Sequence, residues 1–148
     1  MMFYILVFTI FVGNIYAVER VCPLGWISYK KHCYMIVSKP TQSWFNANIQ
    51  CENQNSTLAK LDSRSELEWI YQRLLARNEP VNFWIGGNRL KRFEEWRWVS
   101  DGQRIEFFDF YKTQPNQNTS LCIVLWHPFK YDWADEPCTS SYGYICKI

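Results

Sequence analysis

Three oxygen-bearing side chains stand out for their chemistry and spacing. Gln114 and Asn116 flank Pro115 just ahead of Cys122, and Asp135 lies just ahead of Cys138. Amide and carboxylate oxygens gathered at one spot suit a hard cation or a polyhydroxy ligand. The intervening residues supply a way to gather them. Leu121–Trp126 is a short apolar run, His127-Pro128-Phe129-Lys130 carries turn signals, and Tyr131–Asp135 resumes with aromatics and charge. This pattern predicts two antiparallel strands. The hairpin brings Cys122 and Cys138 together for a disulfide staple and sets Asp135 beside the loop of Gln114 and Asn116. Trp126 and Phe129, next to the turn, are the rings best placed for exposure to a ligand.

Other chemistries find less support. His32 and His127 lie far apart and show no metal-ligand spacing. There is no zinc-protease motif, and no acid pair for glycoside hydrolysis stands out, so a hydrolase is a distant alternative. Arg89, Lys91, Arg92 and Arg97 form a basic group interrupted by Glu94 and Glu95. It reads either as a site for a sulfated or otherwise anionic glycan or as a solvated face. Trp84, Trp96, Trp98 and Trp133 read either as sugar-stacking rings or as the packing of a small core.

The elements that must hold these groups belong to one domain. Residues 1–17 have an apolar run too short for a membrane span and end in small or polar residues, which predicts a secretion signal followed by a domain over 18–148. No later stretch is apolar enough to cross a bilayer. All six cysteines fall in 18–148, as expected of an oxidising, extracellular setting. Many pairings are open to them; locality favours Cys22 with Cys33 and Cys122 with Cys138, which leaves Cys51 for Cys146. A net charge of +2 is too small to indicate a nucleic-acid partner.

Val21–Lys39, aromatic and β-branched between Gly and Pro, predicts an N-terminal hairpin. Pro40 and the caps Thr41 and Ser43 open a helix with Trp44, Ala47 and Cys51 on its inner face. Ser63-Arg64-Ser65-Glu66 is a capping box for a second helix, whose stripe is Leu67, Ile70, Tyr71, Leu74 and Leu75 and which Pro80 ends. Phe83–Gly87 predicts a strand whose glycines permit close backbone approach. Trp96 and Trp98 alternate with Arg97 and Val99 before an Asp101-Gly102 turn, Gln103–Ser120 is a long irregular loop, and Tyr142–Ile148 is a closing strand.

Taken in order, Trp84-Ile85-Gly86-Gly87, Trp96-x-Trp98 with Asp101-Gly102, Gln114-Pro115-Asn116, Trp133-x-Asp135-x-x-Cys138 and Tyr144-Ile145-Cys146 resemble the signature of the C-type lectin domain, and the Cys22/Cys33 hairpin resembles its long form. The resemblance covers essentially all of 18–148. It implies an α+β fold, with two helices flanking small antiparallel sheets and a long loop carrying the binding site. It also implies calcium as cofactor, held by Gln114, Asn116 and Asp135; the bond before Pro115 is either cis, as in calcium-loaded relatives, or a mixture of both isomers, as in a flexible loop. The chain departs from the pattern at three points. Ala134 replaces the asparagine before Asp135, Ser120 stands where a glutamate ligand is usual, and Arg89 stands where a second site often has an aspartate. With Asp135 the one charged ligand, a weak calcium site or none is expected.

The expected function is therefore non-enzymatic recognition of glycans or glycoproteins, without a catalytic residue. Protein binding without calcium is the alternative. Two sequons, at Asn55 and Asn118, predict N-glycosylation, the second inside the binding loop.

Overall fold

A computed structural model describes residues 21–92 and 94–148. The expected signal segment, 1–17, lies outside the described residues. Strands β1 (Ile27–Tyr29) and β2 (His32–Gln42) form the N-terminal hairpin, followed by helix α1 (Trp44–Glu52), β3 (Thr57–Leu58) and helix α2 (Arg64–Arg77). Then come β4 (Phe83–Asn88), β5 (Arg97–Trp98), β6 (Cys122–Leu125), a single 3-10 turn at His127–Phe129, β7 (Trp133–Glu136) and β8 (Tyr142–Lys147).

The described strands join in the order β1-β2-β8-β4-β6-β7, with β3 on β8 and β5 on β4. The expected small antiparallel sheets are thus continuous, linked by one parallel pair, β4 with β8. Both faces of the centre are covered, and this is why its strands read as unbroken apolar runs. Successive residues alternate between two cores. Phe83 and Ile85 of β4, Ile123 and Leu125 of β6 and Ile145 of β8 pack with Leu67, Ile70 and Leu74 of α2. Trp84, Val124, Tyr144 and Cys146 face the other way, onto Trp44, Ala47 and Cys51 of α1. Each buried Val, Leu, Ile or Phe among them contributes about 1.5–3 kcal/mol. At Gly87 an added Cβ would lie 2.5 Å from the Ile123 side chain, so the glycine lets β4 close on β6.

All three disulfides form as expected. Cys22–Cys33, Cys51–Cys146 and Cys122–Cys138 have Cα separations of 5.6, 5.4 and 5.3 Å. Cys51–Cys146 ties α1 to β8 across 95 residues, a closure worth about 4–5 kcal/mol in the chain-entropy model.

The structure corrects four details. Pro40 does not open α1: β2 runs on to Gln42, and Ser43 is the N-cap, its side chain accepting from the Asn46 amide. Leu75 lies outside the buried stripe of α2, half exposed, whereas Leu74 is fully buried. The capping box closes on one side only. Ser63 accepts from the Glu66 amide at 3.3 Å, but the Glu66 carboxylate is drawn inward to accept from the Tyr34 hydroxyl and the Lys147 ammonium. Burial and the adjacent Glu66 push the Tyr34 hydroxyl far above its ordinary range, which keeps it a donor. Finally, Trp126 and Phe129 are half-buried against the α1-side core rather than exposed.

Candidate functional site: an arginine-held loop

The hairpin of β6 and β7 pairs Cys122 with Glu136 and Ile123 with Asp135. Cys138 therefore lies beyond the end of the ladder, and its disulfide to Cys122 closes the hairpin diagonally. Alternation along β7 sets Trp133 and Asp135 on one side and Ala134 and Glu136 on the other. The long loop packs over the first side. Trp133 donates its amide to the Asp109 carbonyl, and Tyr111 donates to the Trp133 carbonyl, each at 3.0 Å. Asp109 is tethered in turn to α2, by Arg64 and by the Tyr71 hydroxyl, both at 2.8 Å.

Asp135 is 2 % exposed. Its carboxylate accepts from the Asn116 amide at 2.9 Å and from the Gln117 amide at 3.3 Å. Sequence reasoning brings Gln114, Asn116 and Asp135 together, and the structure places the loop on Asp135, but through backbone amides rather than through converging side-chain oxygens. The Asn116 side chain points out into solvent. Gln114 is half-buried, and its Oε1 is a buried acceptor with no donor. The Gln114–Pro115 bond is cis. Trp126 stands apart, at the turn end of the hairpin, packed edge-on against Tyr142 and tilted against Phe129. Phe129 stacks on Tyr111 at 4.0 Å. Beside them Glu136 accepts from the Tyr142 hydroxyl at 3.0 Å; burial, then Glu136, pushes that hydroxyl up to about 12.

The residue that completes the loop is Arg89, which follows β4. Its amide donates to the Leu121 carbonyl. Its guanidinium donates to the Gln117 carbonyl at 2.5 Å and to the Ser120 carbonyl at 2.9 and 3.2 Å. It lies 3.7 Å from the Asp135 carboxylate and 4.7 Å above the Trp96 ring. A guanidinium is a planar fork that stays charged, so it can bridge two carbonyls and a carboxylate while its face stacks on an indole. Sequence reasoning missed this role. The one signal for it was a cation at a position where the resemblance implies an acid.

This donor set does not fit calcium. The ion takes about six to eight oxygens, whereas here the single carboxylate already serves two amides and faces a positive charge. Ser120 is fully buried and turns its hydroxyl to Gln117 Oε1 at 3.3 Å, and Ala134 offers no side-chain oxygen. Among the described residues no group of three or more His, Cys, Asp or Glu could hold a metal. Of the other two members of the set, Asn116 carries its amide oxygen out into solvent and Gln114 keeps its Oε1 buried, so the two do not converge with Asp135 on one ion.

Both sequon asparagines, Asn55 and Asn118, are exposed. No helix among the described residues is long and apolar enough to cross a membrane.

Residues 40–148 match the model of the Lectin C-type domain. The chain is 32 % identical to a perlucin-like protein of Mytilus galloprovincialis over 84 % of its own length and 81 % of that protein. Among solved structures it is similar to a calcium-independent type II antifreeze protein, with a TM-score of 0.76 and 27 % identity over 86 % of this chain and 94 % of that one. It is equally similar to the cow carbohydrate-recognition domain of CD23, solved in the presence of GlcNAc2Man3 oligosaccharide, with a TM-score of 0.75 and 25 % identity over 86 % and 95 %.

Proposed function

The chain belongs to the C-type lectin domain family, and on that premise we propose that it is a secreted recognition module that binds the glycans of glycoconjugates through the outer side of its long loop, without calcium. The family and its structural neighbours are non-enzymatic recognition modules. The observation that carries the proposal is the engagement of Asp135 by two loop amides and by Arg89. An internal cation holds the loop in shape, and no metal is needed to order it. The exposed tip from Pro115 to Thr119 is rich in amides and hydroxyls, groups that hydrogen-bond sugar hydroxyls directly. The CD23 neighbour supports the ligand class, and the antifreeze neighbour supports a calcium-free form of the fold.

A glycan array probed with calcium and again with chelator tests this. The expected result is the same set of neutral glycans in both conditions, weakened by Asn116→Ala and Gln117→Ala. Binding that appears only with calcium overturns the metal-free reading. An empty array together with capture of one defined extracellular protein favours the protein-binding alternative, which the loss of a calcium site equally suits. A glycan on Asn118 would stand on the same surface, so Asn118→Gln is expected to strengthen recognition.

A further inference from the structure

Arg89 turns its guanidinium into the loop, but the chain around it also lines a separate cleft of about 690 Å³, between the segment that follows β4 and the turn that follows β5. Four cations line this cleft, Arg89, Lys91, Arg92 and Arg97, against two carboxylates, Glu95 and Asp101. Both carboxylates are already compensated. Asp101 is paired with Lys60 at 2.8 Å, from outside the cleft. Glu95 is held by Arg97 at 2.5 Å, and Arg97 also donates to the Gly102 carbonyl. Two cations are left at the mouth. Lys91 is exposed and enters no ion pair among the described residues. Arg92 is 68 % exposed, and its contact with Glu95 is a loose 3.7 Å.

A net positive cleft with exposed cations at its rim attracts and holds anions. The geometry selects among anionic polymers. A peptide docking by strand addition would need a free edge, and the outer side of β5 is bridged by Arg104; an acidic peptide held by side chains alone is the polyglutamate arm of the test below. A nucleic acid would call for a far larger basic excess than a net charge of +2. A saccharide carrying sulfate or carboxylate groups needs neither.

We propose that this cleft is a second recognition site, for anionic saccharides bearing sulfate or uronic carboxylate groups, with Lys91 and Arg92 as its contacting residues. The choice of a saccharide rests on the glycan-recognition reading above, while the site is separate from the loop tip.

The test is a titration of the full chain with a size-defined heparin oligosaccharide, its desulfated counterpart and polyglutamate, in wild type and in the Lys91→Glu/Arg92→Glu variant. Neutral-glycan binding and the melting temperature are followed in parallel. The double reversal is expected to weaken heparin-oligosaccharide binding about tenfold or more, with neutral-glycan binding and melting unchanged. Added salt should weaken the wild-type interaction. Retained affinity for the desulfated form assigns the contact to carboxylates, and its loss assigns it to sulfates. Should the reversal lower the melting temperature, the milder Lys91→Gln/Arg92→Gln variant takes its place. The proposal is overturned if a stably folded double variant binds the heparin oligosaccharide like wild type, or if polyglutamate binds as tightly. Heparin binding that is lost in the variant while wild type ignores neutral glycans would sustain the cleft and refute the loop-tip reading alone.

Discussion

At the scale of the residue, the loop depends on one arginine. Arg89 spans two carbonyls, a buried carboxylate and an indole. Truncating it leaves Asp135 as a buried charge without its counter-ion, and removing one partner of a buried pair costs about 3–5 kcal/mol. Arg89→Ala is therefore expected to lower stability to chemical denaturation by about that amount, against a much smaller effect for the exposed Arg92→Ala. Equal effects would contradict the assigned role. His32 offers a pH-dependent counterpart at the far end of the sheet. Burial, then the charge of Lys147, holds its pKa below the ordinary 6.5, despite the Ile148 carbonyl that favours the protonated ring. A depressed folded-state pKa contributes stability above the unfolded value and loses it as pH falls through the folded one. Wild type should lose stability on acidification below about pH 6.5, and His32→Gln should flatten that slope in urea titrations. Arg89 also marks where sequence reading ended at this scale. Its partners Gln117, Ser120 and Asp135 lie 28 to 46 positions away in sequence, and no local pattern links them.

At the scale of the element, local rules carried far. Ser43 and Ser63 cap the helices because a short side-chain oxygen can reach the first free amides. Trp44, Ala47 and Cys51 are buried as their spacing requires. The stripe of α2 came out one residue too wide. Leu74 and Leu75 are adjacent and equally apolar, and only contact with the sheet separates them. Leu74→Ala is expected to cost about 2–5 kcal/mol, while Leu75→Ala stays within about 0.5 kcal/mol. Thermal melts of the two variants would reverse this assignment if their order were inverted. Glu66 shows the opposite limit. Its spacing from Ser63 fits a capping box, yet the buried Tyr34 hydroxyl and Lys147 ammonium compete for the same carboxylate and prevail. Pro40 misled for a related reason, since a proline ahead of a cap reads as a helix start, and here it sits within an exposed stretch of a long strand.

At the scale of the whole molecule, the fold was legible because its markers are covalent or strongly patterned. The motifs from Trp84-Ile85-Gly86-Gly87 to Tyr144-Ile145-Cys146 follow one another in the order of the C-type lectin signature, and the cysteines that locality favours do pair. The proximity of the loop to Asp135 was legible, but not the bonds that make it. The hairpin does bring Asp135 to the loop of Gln114 and Asn116, yet the backbone consumes the carboxylate and an arginine supplies the positive charge. This loop is ordered from within, by Arg89 and Asp135. Its most direct measurement is the melting temperature of the wild-type chain in millimolar calcium and in chelator, with Arg89→Ala alongside. A loop held by Arg89 gives coincident wild-type curves in the two conditions and a large drop for the variant in both. A wild-type melting temperature that rises with added calcium in a saturable way would contradict it.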